Sequence, residues 1–255
     1  GSSFSISNRY PDGDWSSYAA FLNHQYDISD KITAQAGLRY NLYELKADFS
    51  ENEEFFPLPE LNSSINNGSL TGSLGLTYRP NKKTKISLLG STGFRAPNVD
   101  DIGKVFDSEP GSVVVPNPNL EAEYAYNAEV GFSRFIGNAL HFDVNVFYTI
   151  LENAMVRRNA TFNGQDSIIY DGQLSQVQSI QNAASATVYG LQAGINWRMN
   201  KNFNFYSNFN YQNGEEEMED GSLSPSRHAA PWFGRSGIVF KYKDARLEFY
   251  TEYSG

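Results

Sequence analysis

From Ile32 to Glu44 the chain alternates without a break. Ile32, Ala34, Ala36, Leu38, Tyr40 and Leu42 lie on one parity, and Thr33, Gln35, Gly37, Arg39, Asn41 and Tyr43 on the other. A period of two residues is a strand with one dry face and one wet face. The pattern recurs upstream, where Tyr18, Ala20, Leu22, Tyr26 and Ile28 alternate with Ser17, Asn23, Gln25 and Asp27. It recurs downstream at Leu70–Tyr78, Ile86–Phe94, Tyr124–Phe132, Leu140–Ile150, Tyr189–Trp197, Phe203–Tyr211, Ile238–Tyr242 and Leu247–Tyr253. The pattern predicts about ten strands, each able to supply the ~9–11 tilted residues that cross a bilayer. Strands of soluble proteins more often have about 5–6 residues.

The connections alternate in length. Ser29-Asp30-Lys31, Asn81-Lys82-Lys83, Gly137-Asn138, Asn200-Lys201-Asn202 and Lys243-Asp244-Ala245 are short and rich in turn formers. Residues 50–69, 97–121, 152–184 and 212–231 form long links. In an up-and-down meander every second link lies on the same side, so one rim carries tight turns and the other long loops. That asymmetry belongs to outer-membrane barrels. Tyr18, Tyr26, Tyr40, Tyr78, Tyr124, Tyr211 and Tyr242 sit near strand ends, where aromatic girdles meet lipid headgroups. The competing arrangement is a soluble antiparallel sandwich with large loops. Strand length and one-sided links count against it.

Composition agrees with the pattern. Of 255 residues, 15% are aromatic and only 19% charged, yet mean hydropathy is −0.48. Uncharged polar residues dilute the apolar ones, as expected of strands that show lipid one face and a wet lumen the other. There is no apolar run of about 18 residues, so no transmembrane helix is expected. Gly1-Ser2-Ser3 does not read as a signal peptide. Cysteine is absent, which excludes disulfides, thiol catalysis and cysteine-held zinc. A net charge of −9 argues against a nucleic-acid partner. No nucleophile–base pair, phosphate-cradling glycine loop or metal-spaced histidines stand out, so no enzyme, cofactor or metal site is expected.

Two boxes are the most informative stretches. Ser91-Thr92-Gly93-Phe94-Arg95-Ala96-Pro97-Asn98-Val99-Asp100-Asp101 ends one strand, and Asn117-Pro118-Asn119-Leu120-Glu121-Ala122-Glu123 starts the next. By parity Arg95 points to the lumen, and Pro97 ends the ladder. Together the boxes resemble those of TonB-dependent outer-membrane receptors. Strand exit and strand entry around a surface loop is the plainer reading, and it is compatible with the resemblance.

The resemblance implies a barrel of about twenty-two strands with a plug domain inside. It implies capture of a scarce nutrient on the extracellular side, and import driven by TonB through the plug. On this reading residues 1–255 are part of the barrel domain, without the plug and the last strands. The partners would be outer-membrane lipid, the TonB complex through that plug, and a small nutrient. A ferric siderophore or similar iron chelate is the expected ligand. A glycan importer of the same superfamily and a passive porin-like channel are the alternatives. Haem is disfavoured, because haem receptors that resemble this stretch carry a ligand histidine between the boxes. None lies between Pro97 and Asn117.

Candidate ligand contacts are Arg95, Asp100, Asp101, Arg157, Arg158 and His228. Arg157-Arg158 could hold an anionic chelate or lipid phosphate, or could be plain rim charge. Asp100 and Asp101 with Asp107 and Glu109 could form an oxygen-rich cation site, although no EF-hand spacing supports it. His228 lies in a long link and could touch ligand or merely be solvated. His24 joins the lipid parity and His141 the luminal one. Glu215–Asp220 reads as a solvated acidic tip. The Asn159-Ala160-Thr161 sequon carries little meaning in a bacterial chain.

Overall fold

A computed structural model describes residues 12–48, 63–103, 111–170, 172–217, 222–225 and 230–255. The elements, in chain order, are β1 (Asp12–Ser29), β2 (Ile32–Asp48), β3 (Ser63–Asn81), β4 (Thr84–Arg95), α1 (Val99–Gly103), β5 (Ser112–Val115), β6 (Glu123–Ile136), β7 (Leu140–Asn159), β8 (Ser167–Tyr170), β9 (Gln173–Arg198), β10 (Phe203–Glu217), β11 (Leu223–Pro225), β12 (Trp232–Tyr242) and β13 (Ala245–Ser254). All strands join one sheet. Its main path is β1-β2-β3-β4-β6-β7-β9-β10-β12-β13, antiparallel throughout and with neighbours in sequence order. This is the expected ten-strand meander. The short strands β5, β8 and β11 branch from it.

Register carries the two-faced pattern across strands. Ala36 pairs with Leu74, Leu74 with Gly90, Gly90 with Ala128, Ala128 with Tyr148, and Tyr148 with Tyr189. The adjacent row, on the opposite face, reads Ser73, Ser91, Asn127 and Thr149. A slip of one residue would exchange these faces, so register is strongly specified.

The polar face is stitched by side chains. Gln35 donates to Gln25 (2.9 Å), Thr33 to Asp27 (2.8 Å), Thr149 to Asn127 (2.7 Å), and Asn127 and Asn145 both donate to Glu129 (2.6 and 3.1 Å). The apolar face has no covering layer: Leu22, Leu74 and Phe249 are 72%, 69% and 73% exposed. A water-soluble sandwich would bury them, because a continuous apolar surface of this kind needs a partner or lipid. The hydroxyls on this face satisfy one another, Ser207 Oγ lying 2.8 Å from Ser236 Oγ.

The short turns are held by local chemistry. Asn81 Oδ1 accepts from the Lys83 amide (2.9 Å), and Asn200 Oδ1 from those of Asn202 and Phe203 (2.9 Å each). Lys243 takes the left-handed conformation (φ 51°) in the last turn. Neighbouring turns are joined too, as Arg79 donates to the Lys31 carbonyl (2.7 Å) and Phe135 to that of Lys83 (2.8 Å).

The long links differ from expectation. Residues 152–184 are largely strand: β7 continues to Asn159, β8 follows, and β9 begins at Gln173. The 26 residues of β9 span about 85 Å at ~3.3 Å each, far more than the ~30 Å hydrocarbon core requires even when tilted. The excess stands at the long-link rim. Among the described residues, nearly all buried apolar side chains gather there, Val239 being the exception. Six of the seven girdle tyrosines are exposed as expected, but Tyr124 is not: it packs against the rim core. Gly68 leaves room for the Tyr40 ring, since a Cβ there would overlap the ring and its hydroxyl.

Candidate functional site

The rim is built by a split in the sheet. The β3–β4 ladder ends at Ser73 paired with Ser91. Just beyond it, the Thr92 hydroxyl accepts from the Gly72 amide (2.8 Å), replacing a backbone partner with a side chain. Past this point β2 and β3 continue together, and β4 continues with β6. Luminal-parity Tyr43, Leu45 and Ile65 of the first pair then meet lipid-parity Phe94 and Tyr124 of the second. The Tyr43 and Phe94 rings stack at 6.4 Å. Ile102 and Leu120, from the link that joins the boxes, are 0% and 1% exposed and complete this core. Val99 of α1 lies over Gly13, where a Cβ would strike its methyl groups.

Arg95 and Glu123 tie the two boxes together. They are register partners across β4 and β6. The guanidinium meets the carboxylate in a fork, Nε to Oε2 and Nη2 to Oε1 (3.0 Å). Arg95 Nη1 also reaches Asp101 Oδ2 at 2.8 Å. Asp101 in turn caps α1: its carboxylate accepts from the Asn98 amide, and its amide donates to Asn98 Oδ1, each at 3.0 Å. Glu123 Oε1 accepts from the Met155 amide on β7 (2.6 Å). One arginine thereby joins β4, β6, α1 and β7.

A second core sits beside the first. Link residues Ser112–Val115 form β5, which adds to β9 in parallel, Val113 opposite Val177. Val113, Val115, Val177 and Ala47 are buried there, with Phe162, Ile168 and Tyr170 against them. Between this core and the Asn117–Leu120 turn lies an open polar cavity of about 1130 Å³. Asn117 Nδ2 donates to the Ile180 carbonyl (2.8 Å). Asn182 Nδ2 donates to the carbonyls of Glu121 (2.9 Å) and Asn153 (2.8 Å), and its Oδ1 accepts from the Glu121 amide (2.8 Å).

Of the sequence-derived site residues, the fold brings Arg95 and Asp101 into contact, while Asp100 is exposed on α1. Arg157 and Arg158 lie on the extended β7 opposite Ile180 and Ser179, and Arg158 reaches the Glu217 carbonyl (3.4 Å). His228, Asp107 and Glu109 lie outside the described residues, as does the end of the acidic tip. Within the described part of that tip, Glu215–Glu217 pair with β11 as strand. Among the described residues no three acidic or histidine side chains are grouped to hold a metal.

Sequence reasoning missed two clusters on the luminal face. His141 Nε2 lies 2.9 Å from Ser133 Oγ, and Nδ1 3.8 Å from Asp143. The order of atoms is that of a hydrolase triad. However, β6 is laddered on both sides, so the amides around Ser133 are not free to stabilise an oxyanion. On β12 and β13, Arg235 lies 3.8 Å over the Tyr250 ring, with Glu248 and Glu252 at 3.9 and 3.8 Å. Cross-strand parity alone would have placed these residues on one face. Their pairing needed the register.

A one-sided rim on a two-faced antiparallel meander defines the wall of a membrane β-barrel. The chain belongs to the TonB-dependent receptor family: residues 1–251 match the family described as TonB dependent receptor-like, beta-barrel. It is 25% identical over 234 residues to hemoglobin-haptoglobin utilization protein B of Neisseria meningitidis, covering 84% of this chain and 28% of that protein. It is 29% identical over 186 residues to a probable hemoglobin and hemoglobin-haptoglobin-binding protein 4 of Haemophilus influenzae, covering 69% and 18%. The chain thus spans under a third of the length of these relatives. Among solved structures it resembles the hemophore receptor HasR of Serratia marcescens (TM-score 0.74, 16% identity, covering 96% of this chain and 44% of that one). It also resembles the FrpB iron transporter of Neisseria meningitidis (TM-score 0.66, 16% identity, 92% and 32%). At these identities the structural likeness speaks for the fold alone.

Proposed function

We propose that this chain is barrel wall of an outer-membrane receptor that captures an iron-containing nutrient at the long-link rim. Import would be driven by TonB acting through a plug domain, as the family implies. The observation that carries the reading is the convergence of both sequence boxes on one rim, locked by the Arg95–Glu123 fork. A receptor needs its rim preorganised while the wall below stays in lipid, and here the buried core lies in the rim. Arg157 and Arg158, with Asp100 and His228, are the proposed ligand contacts. Neighbours on a strand, the two arginines project to opposite faces, so each would meet the carboxylates or catecholates of an iron chelate from its own side. Arg95 and Asp101 act on the ligand through the wall they hold.

A second reading, haem taken from a haemoglobin, is favoured by the names of the relatives. No histidine lies between Pro97 and Asn117 to ligate haem iron there. In that case the rim would recognise the carrier protein instead. The test is growth of a strain lacking the full-length gene on ferric siderophores, haem, haemoglobin and cobalamin as separate sources. Loss on one iron source alone identifies the cargo. Unimpaired growth on every iron source overturns the proposal.

A further inference from the structure

We propose that the polar cavity beneath the Asn117–Leu120 turn binds a neutral, hydroxyl-rich ligand, an oligosaccharide. This site stands independently of the iron reading. Amides dominate its wall: Asn117, Asn119, Asn153, Asn159, Gln181 and Asn182 all line it. Its charged lining groups are the carboxylates of Glu121 and Asp166, and no lysine or arginine lines it among the described residues. An anionic chelate or phosphate would therefore meet repulsion without a compensating cation.

Sugar hydroxyls both donate and accept. The amides of Asn117 and Asn182 hold the wall together, so the groups that complement vicinal hydroxyls are the Asn119 amide, which both donates and accepts, the Thr161 hydroxyl, and the strongly accepting carboxylates. Phe162, with Pro116 and Pro118, contributes apolar surface against which the C–H face of a sugar ring can lie. The volume of about 1130 Å³ exceeds the ~300–1,000 Å³ of ordinary small-ligand sites, leaving room for more than one ring.

The wall is also preset. Asn117 and Asn182 are fixed by donating to the carbonyls of Ile180, Glu121 and Asn153, and Asn182 also accepts from the Glu121 amide. Asn119 and Thr161 are exposed at the cavity and are the groups placed to meet ligand directly. Binding then costs little ordering of the protein.

The experiment uses full-length protein in detergent micelles, probed with an array of neutral oligosaccharides and then by saturation-transfer NMR with the strongest binder. A second arm offers a glycoprotein carrying that glycan, before and after enzymatic deglycosylation, which separates free from protein-borne sugar. Binding in either arm, weakened about tenfold by Asn119→Ala combined with Thr161→Ala, is the expected result. Absence of neutral-glycan binding in both arms, or equal binding by the double variant, overturns the proposal. The double variant should still support growth on the iron source.

Discussion

Arg95 and Glu123 face each other across the β4–β6 ladder and share two parallel hydrogen bonds, one from Nε and one from Nη2. The pair is asymmetric: the arginine side chain is 46% exposed and the glutamate 11%. Removing the arginine therefore leaves a mostly buried carboxylate behind, whereas removing the glutamate leaves a cation that water can reach.

Arg95→Ala should cost more stability than Glu123→Gln, by about 1 kcal/mol after allowance for solvent screening. The double variant should cost less than the sum of the two. Urea unfolding of the refolded full-length receptor in detergent, arranged as a double-mutant cycle, measures this. Strict additivity would show that the fork contributes nothing beyond its separate parts.

Leu45 is fully buried in the rim core, whereas Leu38 on the same strand is exposed on the apolar face. Leu45→Ala should destabilise the rim by about 2–5 kcal/mol. Hydrogen exchange should quicken at residues 43–47 and stay unchanged at residues 33–38. Uniform quickening along β2 would mean that rim and wall open as one unit.

Leu74 and Ser73 are adjacent but lie on opposite faces. Leu74→Arg should lower folded yield in the membrane, at a cost of about 2–4 kcal/mol near mid-bilayer. Ser73→Arg should be tolerated. The fraction of heat-modifiable barrel on unboiled gels reports both. The reverse order would exchange the faces assigned here.

Thr92→Val keeps the shape of the side chain but removes the acceptor for the Gly72 amide. We expect a loss of about 1 kcal/mol and selective acceleration of Gly72 exchange. No change at Gly72 would indicate that another acceptor takes over where β3 and β4 part.

The wall was legible in the sequence because its determinants are local. Parity is read residue by residue, and Asn81 and Asn200 cap their own turns. The rim was hidden for identifiable reasons. Near Leu151 and Ala154 the β7–β9 register shifts twice, and Asn153 adopts φ 57°. These irregularities break the two-residue phase, so residues 152–184 read as loop. Tyr124 carries lipid parity yet turns into the core, because β3 and β4 diverge above Ser91, which no single strand reveals. Arg95 was legible as a candidate residue. Its partner Glu123 could be named only once register fixed β4 against β6.

The parallel docking of β5 on β9 bears on the order in which the chain assembles. Hairpins of the meander join neighbours in sequence, so they can form as soon as each pair exists. The Asn117 side chain and the Ile180 carbonyl it bonds lie 63 positions apart, and β5 needs the same distant strand. Closing so long a loop carries an entropic cost that is recovered only after β7 and β9 have paired. The long-link rim is therefore expected to form last, on a wall whose strands have already paired.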